Sequence, residues 1–366
     1  MKKSILTIIL WAVVSMLGYA QRLVDAETQT PLPWATITDK DGNVIGRTNQ
    51  DGMIPEISQD RFPVTLVCIG YQPVTVESLS GKDIAMELMD YDLPEVTISP
   101  VGRPFLRILG YLRVVTSVKG SPSSVTAFKE SIVDFLLPVE KKTKTKGWYR
   151  SRDLASKKYM RKTGANGVDS IGYDKDLDFL LSIGNVVGFP QKTNNLAKAL
   201  KLNDKAMNGG TVMGKYAPKT VVQRSGNNFH LFMDGLADHK EHRFSPWQLK
   251  LLGFTTEFTD MHINGLFRTD NNDEILITDV QQFSLAINAL VRSRFARKKF
   301  HSAEPLDAKL YVEFFVTGRE YLTEEEAEEL RKEPPTVSAS DIKAPAEAPA
   351  LHPGIQEIID RTVAKK

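Results

Sequence analysis

Cysteine is nearly absent from this sequence, since Cys68 is the single one among 366 residues. No disulfide can therefore form within the chain. Cys68 sits in the strand-like run TLVCIGY, where a small buried apolar residue is expected rather than a nucleophile. Excess charge is also small, at a formal net +2, so the whole chain offers no field that would attract nucleic acid. The folded domains must be held by burial of apolar side chains, and any charged binding patch must be local.

Long apolar runs are missing beyond the N-terminus. Residues 1–20, MKKSILTIILWAVVSMLGYA, combine two lysines, an apolar run from Ile5 to Leu17 and a small-x-small end, which is typical of a secretory signal peptide. The run is too short for a comfortable membrane span. We expect cleavage after Ala20, no transmembrane segment in the mature chain, and no lipid anchor on an N-terminal cysteine, because Gln21 would come first.

Motifs of catalysis and cofactor binding are lacking too. No Gly-x-Ser-x-Gly elbow, phosphate loop or dinucleotide fingerprint occurs in the sequence, so serine hydrolase and nucleotide-dependent activities have no support. His301 and Glu304 form a His-x-x-Glu pair in a turn-like stretch, and the only downstream histidine that could complete a zinc site, His352, lies in the proline-rich tail. The stretch DHKEH, residues 238–242, has the wrong spacing for zinc hydrolysis. We predict no catalytic residue, no metal and no cofactor.

Short β-type runs fill residues 22–99 and predict an all-β sandwich. Asp41-Gly42 and Asp51-Gly52 predict tight turns between them, because glycine supplies the positive φ that such turns require. The runs are WATIT, NVIGRT, VTLVCIG, QPVTVES, DIAMEL and PEVTIS.

Three stretches of this region carry a family resemblance: DAETQTPLPWATITDKDGNVIGRTNQDGM, VTLVCIGYQPVTV and LPEVTIS. Together they resemble the carboxypeptidase regulatory-like domain, a transthyretin-like β-sandwich at the N-terminus of many exported Bacteroidetes proteins. Trp34 and residues 53–55 depart from the family pattern. The resemblance implies a structural or docking module without chemistry of its own.

Four stretches beyond residue 100 carry a second resemblance: FKESIVDFLLPVEKKTKTKGWYRSRDLASKKYMR, GVDSIGY, FFVTGREYLTEEEAEEL and APAEAPALHPGIQEII. They resemble a set of uncharacterised exported Bacteroidetes proteins that carry this domain first, and this likeness brings no known activity. Residues 125–137, VTAFKESIVDFLL, have apolar residues at helical spacing and predict a helix. Several later runs predict strands, namely NNFHLFMD, EFTDMHINGLF, EILITDV and KLYVEFFV. This region is therefore expected to be a β-rich α+β domain.

The C-terminal part predicts two helices around a linker. Thr323 caps a helix with an acidic first turn that ends before Pro334. Residues 334–353 are rich in proline and alanine and predict an extended linker that packs no core. In the final helix, one apolar stripe is expected to dock on the protein itself, formed by Ile355, Ile358, Ile359 and Val363.

These patterns predict a mainly β protein: an N-terminal transthyretin-like β-sandwich, a β-rich α+β domain, and a helical, Pro/Ala-rich C-terminal tail. The predicted segments are a signal peptide at 1–20, the sandwich at 21–100, the second domain at 101–320 and the tail at 321–366.

The most concentrated charge lies in VRSRFARKKF, residues 291–300. If this run is a strand, Arg292 and Arg294 share a face and would suit phosphate or carboxylate groups. The other interpretation is a solvated edge strand whose charges prevent aggregation. The candidate partner-binding residues are Arg292, Arg294, Arg297, Lys298 and Lys299.

Two hypotheses of function follow. The first is a non-enzymatic cell-envelope protein, in the periplasm or associated with the outer membrane, that binds another envelope protein or an anionic glycan. The second is an envelope hydrolase that acts on peptide or glycan through acidic residues of the middle domain, since paired carboxylates are recognised by their distance in space. Surface display, a third reading, lacks a C-terminal β-sandwich secretion signal.

Overall fold

Two compact units make up the chain, Met1–Met89 and Asp90–Lys366, and each is described by itself. The structure is a computed structural model. It describes residues 21–89, 102–120, 123–139, 152–182, 211–212, 219–225, 227–236, 254–269, 275–293, 298, 300–302, 304–334 and 337–365. The predicted signal peptide and the run PEVTIS lie outside these ranges. Within them, no helix has the length and apolar character needed to cross a membrane.

The first unit is built from six short strands. A four-stranded antiparallel sheet has the order β3-β2-β4-β5, and β1 pairs with β6 in parallel. Apart from PEVTIS, each of the predicted β-type runs contains one of these strands. The prediction of a mainly β protein is confirmed. The strands are β1 (Leu23–Asp25), β2 (Thr36–Thr38), β3 (Val44–Arg47), β4 (Val64–Val67), β5 (Val74–Val76) and β6 (Ile84–Met86).

The two predicted Asp-Gly turns have glycine at positive φ, as expected, and side chains help to close them. The Asp39 carboxylate accepts from the backbone N–H groups of Asp41 and Asn43 at 3.0 and 2.9 Å, and Gly42 follows with φ 81°. Gly52 has φ 71°, and a Cβ there would lie 2.6 Å from the Leu23 carbonyl oxygen. Glycine is therefore required at this second turn. Cys68 is buried with a free thiol, as expected.

The second unit is one antiparallel sheet of ten strands, in the order β10-β9-β8-β7-β16-β15-β14-β13-β12-β11. Five of its strands have fourteen residues or more. The strands are β7 (Phe105–Lys119), β8 (Ser124–Pro138), β9 (Arg152–Thr163), β10 (Asp169–Ile171), β11 (Thr211–Val212), β12 (Lys219–Ser225), β13 (Asn228–Asp234), β14 (Phe254–Arg268), β15 (Val280–Ser293) and β16 (Leu306–Leu322).

The helix predicted at 125–137 is wrong, because these residues form β8. Residues of this strand are buried on both faces of the sheet. Phe135 packs in the main core, whereas its neighbour Leu136 packs with Phe105 on the opposite face. Burial on both faces removes the polar–apolar alternation that marks a half-buried strand. The run EILITDV is also not a strand, since Ile277–Asp279 form a 3-10 helix before β15 begins.

The two faces of the long sheet differ in what covers them. The apolar face carries the main core, which includes Leu112, Phe135, Leu285 and Phe314. A short helix, α1 (Phe179–Ser182), packs at one end of this face. The other face receives the C-terminal residues of the chain, and we call it the tail face.

Two further helices lie in the C-terminal part, α2 (Glu324–Lys332) and α3 (Pro353–Val363). Thr323 caps α2 as predicted, since its hydroxyl accepts from the Glu326 N–H at 3.2 Å. In α3, Ile355 and Ile358 are buried against the sheet unit, which confirms the predicted docking. Val363 is an exception, because it is 61% exposed.

The linker prediction needs a correction. Residues 334–353 do contain extended backbone, but Ile342 is 4% exposed and packs against Tyr111 and Phe315 of the tail face. An aliphatic side chain of a proline-rich segment thus helps to fix the segment on an apolar patch of the sheet. The segment contributes to the core that its composition seemed to exclude.

Candidate functional site

A cleft of about 680 Å³ opens at one end of the long sheet. Strand register brings its walls together, because Ser124 at the start of β8 lies opposite Thr163 at the end of β9. Thr163 in turn pairs with Asp169 of β10. The lining residues are Ser123, Ser124, Val125, Lys162, Thr163, Gly164, Val168, Ser170, Asp174, Asp176, Leu177, Lys298, Phe300 and His301.

One wall of the cleft is held in place by lysine–aspartate pairs. Lys162 of β9 bonds to the Asp174 carboxylate, and Lys158 bonds to Asp178 at 2.7 Å. Burial opposes the charge on both members of the second pair, but their hydrogen bond raises the pKa of Lys158 and lowers the pKa of Asp178. Asp174 also accepts from the Asp176 backbone N–H at 2.9 Å. Lys162 and Asp174 thus neutralise each other, and Asp176 is a further carboxylate in the lining of the cleft.

Another part of the wall is formed by Lys298, Phe300 and His301, and it carries the Lys298 ammonium. Phe300 is 2% exposed and anchors this wall in the small core of Val118, Met160 and Leu177. Its carbonyl oxygen accepts from the Ser123 hydroxyl at 2.8 Å. The side chains of Lys298 and His301, on either side of Phe300, are exposed in the cleft.

Backbone conformation contributes to this wall as well. His301 has φ 50°, in the left-handed region that non-glycine residues seldom adopt. Such conformations cost free energy and are concentrated at ligand sites and tight turns. Among the described residues, no carboxylate lies within salt-bridge distance of Lys298 or His301. This wall therefore keeps positive charge available for a ligand.

The predicted basic run is only partly represented in this site. Lys298 lines the cleft, whereas Arg292 is exposed near the end of β15, opposite Thr255 of β14, and does not line it. Arg294, Arg297 and Lys299 lie outside the described residues, so the expected pairing of Arg292 with Arg294 on one face stays a prediction.

The histidine–glutamate pair considered for zinc gains no further ligand. His301 faces the cleft, and Glu304 is exposed. In the part of the chain that the structure describes, no group of three or more His, Cys, Asp or Glu residues could hold a metal ion. The stretch DHKEH falls outside that part.

A polar row on the tail face was not predicted from the sequence. It crosses six neighbouring strands, and each residue lies directly opposite the next. From one end to the other it consists of Asn264, Ser284, Glu313, Arg113, Glu130 and Lys157. Four of its members alternate in charge, which favours cross-strand pairing.

Contacts within this polar row are close. The guanidinium of Arg113 lies 3.8 Å from the Glu313 carboxylate and donates to the Tyr111 hydroxyl at 3.2 Å. Tyr111 donates to Glu130 at 2.9 Å. Burial raises the pKa of Tyr111 to about 12, although Arg113 opposes this shift. Burial also raises the pKa of Glu313, because its pairing with Arg113 is too long to offset the loss of water.

A signal for such a row was present in β14. Asp260, His262 and Asn264 alternate with Met261 and Ile263 there, which is the two-residue period of a strand with a polar face. His262 and Asp260 are in contact, with 2.6 Å between Nε2 and Oδ1. The sequence of this strand does not show, however, that Asn264 lies in line with Glu313 and Arg113. That alignment follows from the pairing of the neighbouring strands.

Comparisons with known proteins bring little to this geometry. No family model matches the sequence, and no curated protein matches it. A solved structure titled "Lipid-protein interactions in lipovitellin" is similar at 10% identity and a TM-score of 0.29, over 60% of this chain and 26% of that chain. The chain therefore spans about a quarter of the length of that structure's chain, and a likeness at this level carries no argument.

Proposed function

We propose that the chain is a non-enzymatic protein of the cell envelope, exported to the periplasm or the outer membrane, that binds an anionic glycan in the cleft. The observation that supports this proposal is the exposed Lys298 ammonium in the cleft, with the His301 imidazole as a hydrogen-bonding group close to it in the chain. Of the two acids that line the cleft, Asp174 and Asp176, the first is already paired with Lys162. An anionic group beside residues 298–301 would meet the Lys298 ammonium, which has no carboxylate within salt-bridge distance among the described residues.

The size and polarity of the cleft favour a glycan over a folded protein as the ligand. Its volume of about 680 Å³ lies within the range of about 300–1,000 Å³ that small-ligand pockets occupy. Hydroxyl groups line it, from Ser123, Ser124, Thr163 and Ser170. Such groups exchange hydrogen bonds with sugar hydroxyls. An acidic protein partner, the other candidate from the sequence, would not need an enclosed volume.

The N-terminal unit enters this proposal as a structural or docking module. Its sequence resembles the carboxypeptidase regulatory-like domain, and its buried groups serve the fold. Asp25, for example, accepts from Tyr71 at 2.8 Å and from the Thr28 backbone at 2.7 Å. These bonds organise a turn and present no reactive atom.

The cleft proposal is tested by isothermal titration of the full chain with anionic oligosaccharides and with neutral ones of equal length. We expect binding of the anionic series that weakens with salt. Lys298→Glu should weaken it about tenfold, which corresponds to about 1.4 kcal/mol. Lys332→Glu, an exposed change at the end of α2, is the matched control and should leave the affinity unchanged. Equal effects of the two changes, or no preference for the anionic series, would refute the proposal.

The alternative of an envelope hydrolase is checked in the same samples. Asp174 and Asp176 are acids of the cleft, and Asp174 is held by Lys162. A carboxylate engaged in this way is a poor general acid, because its partner stabilises the charged form. Mass spectrometry of the oligosaccharides after incubation should recover them intact. Shortened products that disappear in Asp176→Asn would support the hydrolase instead.

A further inference from the structure

The C-terminal segment 338–365 lies on the tail face without joining the sheet as a strand. We call it the tail segment. It meets the sheet at three places, over the polar row and over the apolar row on each side of it. The first apolar row contains Tyr111 and Phe315, and the second contains Phe128 and Tyr159. The three contacts differ in chemistry: the first is mainly an apolar anchor, the second is a hydrogen bond from a cation, and the third is mainly the apolar stripe of a helix.

The first contact is an aliphatic anchor with a carbonyl beside it. Ile342 is buried against Tyr111 and Phe315, with Ala155 also packed in this cluster. The Lys157 ammonium donates to the Ile342 carbonyl oxygen at 3.3 Å. This place recognises one apolar side chain and the main chain that carries it.

The second contact is a buried cation on the main chain. Arg113 is 5% exposed, and its guanidinium donates to the Pro349 carbonyl oxygen at 2.6 Å. Residues 346–348, directly before Pro349, form a turn in which the Ala348 N–H donates to the Pro345 carbonyl oxygen at 3.0 Å. Arg113 therefore contacts the main chain just after this turn rather than a particular side chain.

The third contact is the apolar stripe of α3. Ile355 and Ile358 are buried against Phe128 and Ile171, and Lys365 donates to the Ile171 carbonyl oxygen at 3.0 Å. An amphipathic helix laid on an apolar surface is a common mode of peptide recognition. The aliphatic anchor, the main-chain carbonyl and the helix together hold a segment of nearly thirty residues.

We infer that the tail face is a peptide-recognition surface, and that the tail segment of a second copy of this chain can occupy it in place of the chain's own. All three contacts join side chains to side chains or to carbonyl oxygens, so none depends on covalent continuity with the sheet. A second copy offers an identical segment, and exchange of identical elements makes the same contacts between chains. The chain's own tail competes at a high effective concentration, so exchange appears when that tail cannot dock. This inference does not depend on the cleft.

A complementation experiment with two full-length variants tests the exchange. The tail variant, Ile342→Asp with Ile358→Asp, keeps the surface but has a segment that cannot dock. The surface variant, Arg113→Met with Ala155→Arg, keeps the segment but has lost the cation and the space for Ile342. We expect each variant alone to be monomeric and their mixture to form a one-to-one complex by light scattering. The mixed complex should be at least tenfold tighter than self-association of either variant.

A mixture that stays monomeric, while both variants are folded by circular dichroism, would overturn the inference. If the tail variant does not fold alone, the surface variant should restore its circular dichroism signal and its melting transition. A synthetic peptide of residues 338–365 should do the same, and the peptide carrying Ile342→Asp should not. Failure of both to restore the fold would mean that the segment acts only as part of its own chain's core, which also overturns the inference.

Discussion

Single side chains in the first unit accept hydrogen bonds from backbone N–H groups in turns. Asp25 is 3% exposed and accepts from two backbone N–H groups, those of Glu27 and Thr28, and from the Tyr71 hydroxyl. Burial alone would raise its pKa, but these donors outweigh burial and lower it. A charged carboxylate is thus part of the folded state, and it serves structure rather than catalysis.

Asp25→Asn should destabilise the first unit by roughly 2 kcal/mol at pH 7, because the charge-assisted bonds are lost. The lowered pKa means that the stabilisation is complete above the unfolded value of about 3.9 and is lost as pH falls through the folded value. Urea unfolding at pH 7 and pH 3 should therefore give a smaller cost in acid.

Asp51→Asn is the control for this prediction, since Asp51 is exposed in its turn. It should change the free energy of unfolding by less than about 0.5 kcal/mol at either pH. A cost of Asp25→Asn that is the same at both pH values would contradict the role assigned to the charge.

At the scale of the element, the long strands pack so closely that some positions admit no side chain. A Cβ on Gly110 of β7 would lie 2.2 Å from the Phe314 ring and 2.6 Å from the Phe315 carbonyl oxygen. Phe314 is itself enclosed by Phe135 and Phe283, with ring centroids 5.0 and 5.2 Å away. Neither the ring nor the backbone can move aside without disturbing the main core.

Gly110→Ala should therefore destabilise the sheet unit by about 2–3 kcal/mol, the usual cost of overpacking a core. Gly318→Ala on β16 is the matched control, because the nearest atom to its Cβ would be 3.6 Å away. It should be neutral or slightly stabilising, since alanine restricts the unfolded chain. Thermal unfolding of the two variants measures the contrast, and equal costs would refute the packing argument.

At the scale of the whole sheet unit, the polar row and the tail segment bury a carboxylate that is not fully compensated. Glu313 is 7% exposed, with Arg113 at 3.8 Å and the Tyr311 hydroxyl at 3.0 Å. Burial raises its pKa, and the two partners only reduce that shift. Burial of the charged Glu313 carboxylate therefore lowers the stability of the folded unit at neutral pH.

A raised pKa means that the stability linked to Glu313 is complete below the unfolded value of about 4.3 and is lost as pH rises through the folded value. The difference in unfolding free energy between the wild-type chain and Glu313→Gln should thus shift in favour of the wild type as pH falls from 7.5 to 4.5. Chemical denaturation at both pH values measures it. Glu320→Gln, an exposed change on the same strand, should give a much smaller shift, and a reversed shift for Glu313→Gln would refute the assignment.

Prediction from sequence succeeded where the interacting residues are close to one another along the chain. The mainly β class, the Asp-Gly turns, the Thr323 cap and the buried stripe at Ile355 and Ile358 were predicted correctly. Each of these features depends on residues within a few positions of one another. Export, the family resemblance and the envelope partner stay predictions.

The failures share one cause, which is burial supplied by distant residues. Strand β8 was predicted to be a helix because apolar side chains on both faces hide the two-residue period. Ile342 was assigned to a linker because its pocket is made by Tyr111 and Phe315, more than two hundred and about thirty positions away.

The sequence by itself thus determined the local chemistry of this protein: turns, caps, strand content and the lack of recognisable catalytic motifs. The tertiary structure alone decided where charges meet. The fold brings Lys298 and His301 into one cleft with Lys162 and Asp174, and the register of the strands aligns Glu313, Arg113 and Glu130 in one row. The physical reason is that strand register is set by packing of whole faces, which no short window of sequence contains.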